Sequence, residues 1–174
     1  MSATSPSETK FWVICRDDNP LAYQLAKTIN DWQISGVRAR VGHQMPLGVS
    51  DAIAQADSVI FVTTRETSGS HVSVMPVSST SANTMSKAVQ SPVSFLNTLR
   101  KRYGRIPQAW WLQLPTIESA QSGVKTVPAE YILSKAVSKI EVFVRNHYIR
   151  HQAFQADCVA SAEVNSVEPV SMAA

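Results

Sequence analysis

The feature that most constrains this chain is a series of short apolar segments that alternate with helical patterns. "FWVIC" at 11–15 and "DSVIFVTT" at 57–64 are rich in aromatic and β-branched residues, as strands buried on both faces are. "VRARV" at 37–41 and "QAWWLQLP" at 108–115 are also typical of strands. Strands that alternate with helices predict an α/β fold: a three-layer α/β/α sandwich with a mostly parallel, twisted central sheet.

Helical patterns fill the intervals between these strands. Apolar residues recur at helical spacing over 21–29, more briefly within 46–56, and again over 91–104 and 128–151. The segment "HVSVMPV" at 71–77 shows strand alternation and predicts one further strand.

Composition at the two ends and in one internal segment predicts where the domain stops. Residues 1–10 and 152–174 are polar or lack sustained periodicity, so we expect a disordered N-terminus and a disordered tail. The Ser- and Thr-rich segment 78–90 predicts a flexible loop. We therefore expect a single α/β domain over 11–151.

Charge and cysteine content favour a cytoplasmic protein that does not bind nucleic acid. The net charge of +3 is mild, and no long basic run is interleaved with aromatics, so nucleic acid is not expected as a ligand. The two cysteines, Cys15 and Cys158, lie far apart and predict no disulfide scaffold. No apolar segment approaches the roughly 20 residues of a membrane span. We expect a monomer that does not bind membranes.

Ligand sites in parallel sheets lie beyond the carboxyl ends of the strands, and polar residues follow two of them here. Asp17 and Asp18 come after the first strand, where a carboxylate pair can hold a hard cation, take part in acid/base chemistry, or cap the next helix. His43 follows the second strand and is either a site residue or a local hydrogen-bonding residue. Cys15 ends a central strand, where a buried and inert thiol is expected.

Two further clusters are better explained by structure than by catalysis. Trp110 and Trp111 alternate across one strand and are expected to cover opposite faces of the sheet. The basic cluster "RKRYGR" at 100–105 fits a solvated helix end, and an acidic protein or anionic ligand is its alternative partner.

The order of these elements resembles the hydrogenase maturation protease family, endopeptidases that trim the C-terminus of nickel-containing hydrogenase large subunits. The likeness rests on "RDDNPLAYQLAKTI", "VGHQMPLGVSDAIAQADSVIFVTT", "SPVSFLNTLRKRYGRIPQAWWLQLP" and the following "TIES". It implies the family's α/β fold, nickel as a metal, and a hydrogenase large subunit as a partner.

The resemblance also implies three positions for metal ligands. The family senses nickel with an acidic residue after the first strand, an aspartate that ends the third, and a histidine at the start of the helix before the fifth. Carried over, these positions fall on Asp18, Thr63 and Val93, of which only Asp18 is a metal-binding residue type. His43 matches a His-Gln pair that part of the family carries.

Two functions follow from this comparison. In the first, the chain is a degenerate, non-proteolytic member that serves as a protein-binding, assembly or maturation factor, for a hydrogenase large subunit or an unknown partner. In the second, it is an active endopeptidase whose metal-sensing site is rearranged around Asp18, Asp17 and His43.

Overall fold

The computed structural model describes residues 9–16, 20–42, 47–65, 71–78, 91–115 and 128–164. Within them the elements are, in chain order, β1 (Phe11–Cys15), α1 (Leu21–Asp31), β2 (Val37–Val41), α2 (Leu47–Gln55), β3 (Ser58–Arg65), β4 (Ser73–Val77), α3 (Pro92–Tyr103), β5 (Gln108–Pro115) and α4 (Ala129–Val164).

The five described strands form one sheet in the order β2-β1-β3-β5-β4. Neighbouring strands run parallel except β4, which pairs with β5 in the antiparallel sense. β1 is buried along its whole length because it lies between β2 and β3 and is covered on both faces. The predicted α/β fold with a mostly parallel sheet is confirmed.

One face of the sheet packs against α2 and α3. Side chains on a strand alternate between faces, so Trp12 and Ile14 share a face with their register neighbours Val59 and Phe61. These side chains form one buried cluster with α2 and α3, whose further members are Ala52, Ile53, Ala54, Ala56, Leu96, Leu99 and Ala109.

Helix α1 is tied to the edge strand β2. Its buried residues recur at helical spacing, and right-handed crossovers from β1 to β2 and from β2 to β3 put α1 and α2 on opposite faces. The side-chain amide of Asn30 accepts from the backbone N–H of Ala39 at 2.9 Å and donates to its carbonyl at 3.0 Å. This pair of bonds fixes the last turn of α1 against β2.

The predicted strand and helix boundaries are close to the observed ones. The strands at 11–15, 37–41 and 108–115 are confirmed residue for residue, and β3 is shifted by one residue from the predicted 57–64. β4 begins at Ser73, two residues later than the predicted start at 71. The reason is that His71 and Val72 do not pair with β5.

The last helix is longer than the sequence pattern predicts. We expected it to end at 151, but α4 continues to Val164. The added segment "QAFQADCVASAEV" contains neither Gly nor Pro and is rich in helix-forming Ala, Gln and Glu, which sustain a helix without an apolar period. The expected disorder of residues 1–8, 79–90 and 165–174 concerns parts of the chain outside the described residues.

The chain divides into two compact units, Met1–Ile140 and Glu141–Ala174. The described part of the first unit contains the sheet, α1 to α3 and the beginning of α4. The described part of the second unit is the remainder of α4. The domain boundaries expected from the sequence stay a prediction.

Helix α3 has the two terminal signals that its sequence predicted. Ser91 is the N-cap, and its hydroxyl accepts from the backbone N–H of Ser94 at 3.2 Å, with Pro92 in the first helical position. At the other end Gly104 has a φ of 72°, a left-handed conformation that glycine adopts without strain. These caps fix the ends of the helix that covers β3 and β5.

We predict that Ser91→Ala lowers the free energy of unfolding by about 1 kcal/mol, because the Ser94 N–H loses its acceptor. Urea denaturation measures the change. Ser94→Ala is the matched control: it removes the same hydroxyl three residues later, where it caps nothing, and should leave stability within about 0.5 kcal/mol of the parent. Equal losses in the two variants would contradict the assignment of Ser91 as the cap.

Candidate functional site

The carboxyl ends of β1, β2 and β3 lie level with one another at one edge of the sheet. Beyond the paired strands, the backbone N–H of Arg16 donates to the Val62 carbonyl at 3.0 Å. The N–H of Gly42 donates to the Cys15 carbonyl at the same distance, 3.0 Å. Because the strands end together, side chains from several of them are brought to this edge, where parallel sheets bind ligands.

Three of the predicted site residues, Asp17, Asp18 and His43, lie outside the described residues. The helix that follows the two aspartates is described, and it begins at Leu21 with Pro20 in the N-cap position. Proline has no side-chain acceptor, and no acidic residue occupies the first turn. Because Asp17 and Asp18 lie outside the described residues, the hypothesis that one of them caps α1 stays a prediction.

Thr63 lies near the end of β3 and is 6% exposed. Its hydroxyl oxygen accepts a hydrogen bond of 2.6 Å from the indole Nε1–H of Trp111 on the neighbouring strand β5. Phe61 and Trp111 are register partners, so Thr63 and Trp111 are on the same face of the sheet. The position to which the resemblance assigns a metal-binding aspartate is thus occupied by a neutral hydroxyl that accepts a hydrogen bond from a tryptophan.

A second polar contact lies beside Thr63 on the same face. Gln113 is the register partner of both Thr63 and Ser73, and it is 9% exposed. Its side-chain oxygen is 3.3 Å from Nη1 of Arg65 and 3.4 Å from the hydroxyl of Ser73. Three strands, β3, β5 and β4, therefore contribute polar side chains to one row at the carboxyl edge.

Val93 is the second residue of α3, and the structure places its helix turn beside this edge. The ring of Phe95, two residues later, meets the ring of Phe61 edge-on, with centroids 5.7 Å apart and planes at 74°. Phe61 in turn precedes Thr63 by two residues on β3. The start of α3 and the end of β3 thus belong to one region, as the resemblance implies, although Val93 carries no donor atom.

The described side chains at this edge do not fit a nickel site. Nickel is bound through carboxylate, imidazole or thiolate groups, whereas Thr63 supplies a neutral hydroxyl and Val93 an alkyl group. Within the described ranges, no group of three or more His, Cys, Asp or Glu side chains is arranged to hold a metal ion. Of the three positions that the resemblance implies, the two that are described, Thr63 and Val93, carry no metal-ligating side chain.

Cys15 does not supply a reactive thiolate. It is 0% exposed between β2 and β3, and burial raises the pKa of its thiol from an ordinary 9.0 to about 12. Because the thiolate is the nucleophile and the metal ligand, the neutral thiol acts as a small apolar core group. The expectation of an inert thiol agrees with this environment.

The edge residues Arg65, Ser73 and Gln113 were not identified from the sequence. They lie far apart in the chain, and only the register of β3, β5 and β4 brings them together. The available signal was the placement of polar residues at alternate positions near the strand ends, in "VTTR" and "LQLP". Only the order and register of the strands show that these polar residues lie side by side.

No family profile matches the chain, and no curated protein matches it by sequence. Three solved structures match its fold. The chain has the fold of the hydrogenase maturation proteases. It is 11% identical to the hydrogenase maturating endopeptidase HybD from E. coli, with a TM-score of 0.55 over 80% of this chain and 94% of that one.

The other two structures come from archaea. The [NiFe] hydrogenase maturation protease HycI from Thermococcus kodakarensis KOD1 is 18% identical, with a TM-score of 0.50 over 78% of this chain and 91% of that chain. The hydrogenase 2 maturation peptidase from Thaumarchaeota archaeon SCGC_AB-539-E09 is 13% identical, with a TM-score of 0.51 over 78% and 98%. At sequence identities this low, the structural similarity establishes a shared fold and nothing finer.

Among the described residues, no helix has the length and apolar content to cross a membrane.

The adjacent residues Thr63 and Thr64 give opposite predictions for one chemical change. Thr63→Val leaves the Trp111 N–H without its acceptor and should lower the free energy of unfolding by about 1–3 kcal/mol. The buried Thr64 hydroxyl has no hydrogen-bond partner among the described residues, so Thr64→Val should be neutral or stabilising. Urea denaturation of both variants tests this, and equal destabilisation would contradict a specific role for the Thr63–Trp111 bond.

The raised pKa of Cys15 predicts a loss of stability in alkali. Between pH 9.0 and about 12, the unfolded chain releases the thiol proton that the folded chain keeps. Stability from this group is therefore complete below pH 9.0 and falls as the pH rises, by about 1.4 kcal/mol per unit.

Comparison with Cys15→Ala isolates this contribution. The difference in unfolding free energy between parent and variant should shrink by about 1.4 kcal/mol between pH 8 and pH 10. Tyrosines whose pKa values are raised, Tyr103 and Tyr148, titrate in both proteins and cancel. A difference that stays constant over this range would show that the thiol ionises normally in the folded state.

Proposed function

We propose that this protein keeps the fold of a hydrogenase maturation protease but acts without proteolysis, as a protein-binding factor in the assembly or maturation of another protein. The observation that carries the proposal is the Thr63–Trp111 hydrogen bond. At the position where the resemblance implies a metal-binding aspartate, a threonine hydroxyl is engaged with the sheet's own tryptophan.

The chemistry of the edge supports loss of the metal-dependent activity. A carboxylate offers a charged oxygen to a divalent cation, whereas a hydroxyl that already accepts an indole N–H offers a weak neutral one. Arg65 lies on the same strand and face, two residues beyond Thr63, and its positive charge disfavours a cation there. No step of peptide cleavage can be assigned to the described side chains.

The extent of the shared fold supports a protein partner. The likeness covers 91% to 98% of each of the three hydrogenase-processing structures, so the present chain retains their whole framework. A framework retained after its catalytic groups have changed is expected to preserve the surface that binds a polypeptide. A hydrogenase large subunit is the partner that the resemblance implies. The monomeric state and cytoplasmic location stay predictions.

Metal analysis and a cleavage assay on the natively purified protein test the proposal. We expect substoichiometric nickel, and no shortening of a hydrogenase large-subunit precursor that carries its C-terminal extension. A stable complex with an uncleaved protein is expected to co-purify. Stoichiometric nickel together with a shortened precursor would overturn the proposal and favour an active endopeptidase built around Asp18, Asp17 and His43.

A restored-ligand variant provides the control for these measurements. Thr63→Asp combined with Val93→His returns the residue types that the resemblance implies at both described positions. If the framework of the metal site is intact, the double variant should bind nickel in calorimetric titration while the parent does not. Thr63→Asn with Val93→Leu has similar volumes without the ligands and should behave as the parent. Nickel binding of the parent equal to that of the double variant would contradict the account.

A further inference from the structure

The two outer strands of the sheet, β2 and β4, differ in whether their outward backbone groups are paired. Successive residues of a strand point their N–H and C=O groups to opposite sides, so each outer strand turns every second residue away from the sheet. On β2 the N–H of Gly42 donates to β1, so Val37 and Ala39 face outward. The N–H of Val37 donates to the Ile34 carbonyl at 3.1 Å. Both backbone groups of Ala39 are bonded to the Asn30 side chain, so the domain's own residues occupy this outer strand.

The outward groups of β4 follow from the register of its neighbour. The N–H of Gln108 at the start of β5 donates to the residue before β3, so Gln108 faces β3. By alternation along β5, Trp111 faces β4, and its register partner Met75 faces β5. Val74 and Pro76, on either side of Met75, therefore point their backbone groups away from the sheet.

These outward groups of β4 are unpaired. Neither the N–H and C=O of Val74 nor the C=O of Pro76 makes a hydrogen bond to any described residue. Met75 between them is 37% exposed, and Pro76 is exposed as well, so this stretch is open to solvent. One donor and two acceptors thus line the outer side of β4, at the positions where another strand of the sheet would use them.

Pro76 distinguishes between the strands that could pair there. Proline has no N–H and is tolerated where that position faces outward, so one donor is missing from the outer side of β4. A foreign strand loses one hydrogen bond to this proline. Two copies of the five-residue β4 paired about a twofold axis would each bring the proline and lose two. The backbone chemistry therefore favours an extended segment of another polypeptide over a second copy.

The side chains beside this stretch add an apolar preference. Met75 and its register partner Trp111 are on the face that α2 and α3 cover, where Trp111 and Val77 pack against the buried cluster. A strand added outside β4 places every second side chain next to Met75 on that face. An apolar residue at that position removes the exposed part of Met75 from water, whereas a charged residue would lose hydration without a partner.

We propose that the outer side of β4 binds an extended polypeptide segment, which joins the sheet as a further strand. The segment donates to and accepts from Val74, donates to the Pro76 carbonyl and places an apolar side chain beside Met75. In such strand additions the main-chain hydrogen bonds supply affinity and the neighbouring side chains supply selectivity. The inference rests on the proposed function, because it assigns the protein-binding activity to one surface.

Titration of the ¹⁵N-labelled protein with a synthetic strand tests the proposal. The probe is an acetylated and amidated peptide in which valine alternates with threonine between two terminal lysines. We expect saturable binding in the millimolar range that shifts the amide signals of Val74 and Met75 and slows hydrogen exchange at Val74. The Ala39 amide on β2 should not respond, because Asn30 already occupies it.

Two substitutions at one position separate the backbone from the side chain. Val74→Pro removes the outward N–H, leaves the bonds to β5 in place, and should weaken peptide binding at least about fivefold. Val74→Thr keeps the N–H and the branched shape, and should bind within about twofold of the parent. Urea denaturation checks that both variants are folded. Equal weakening in the two variants would show that the side chain and not the backbone is recognised, and would overturn the proposal.

A methylated peptide provides a test that does not depend on the folding of Val74→Pro. The same peptide with a methyl group on every backbone nitrogen cannot donate hydrogen bonds, and it should show no saturable binding to the parent protein. Equal binding of the two peptides, or no response of Val74 to the unmethylated one, would overturn the proposal.

Two measurements on the protein without peptide identify other occupants. Slow hydrogen exchange of the Val74 amide would show that β4 is already paired within the chain. A dimer in sedimentation equilibrium that Val74→Pro abolishes would show that a second copy pairs there. Either result would overturn the proposal. The nickel and cleavage assays are separate readouts, so such a result leaves the proposed non-proteolytic function standing, with protein binding through another surface.

Discussion

Burial of the central strands on both faces is the constraint on which the rest of this structure depends. β1 and the first part of β3 have no solvent-facing side, so their side chains are committed to packing against helices and against each other. Polar groups are therefore placed where the strands end. The same ladder that buries Val13 and Ile60 fixes the level at which Thr63, Gln113 and Ser73 meet.

This arrangement explains how a shared fold can carry different chemistry. The fold places the end of β3 beside the start of α3, as the Phe61–Phe95 contact shows, whatever side chains occupy those positions. In the present chain those positions hold a hydroxyl that accepts from Trp111 and an alkyl group. The same framework can therefore carry side chains of different chemistry at this edge.

Much of the fold was predictable because local patterns and tertiary packing agree. "FWVIC" is apolar on both faces and is a central strand, and "SPVSFLNTLRKRYG" has a cap, a first-turn proline and a terminal glycine that the structure uses. Prediction was less accurate for α4, since its last turns lack an apolar period and depend on helix propensity alone.

The site was only partly accessible to sequence reasoning. Thr63 and Val93 were identified through the resemblance, and the structure adds that the Thr63 hydroxyl accepts from Trp111 and that Val93 lies in the first turn of α3. Gln113 and Arg65 are separated by 48 positions in sequence and meet through strand register, which single-chain patterns do not contain. Their contact is a property of the assembled edge rather than of any motif.

The central claim is that the edge near Trp111 does not serve as a binding site for a divalent metal ion. Its indole N–H, bonded to Thr63, provides a direct probe in a ¹⁵N-correlated NMR spectrum. The account predicts that one equivalent of Ni²⁺ leaves the Trp111 indole signal sharp and unshifted. Paramagnetic broadening of that signal by stoichiometric Ni²⁺ would contradict the account.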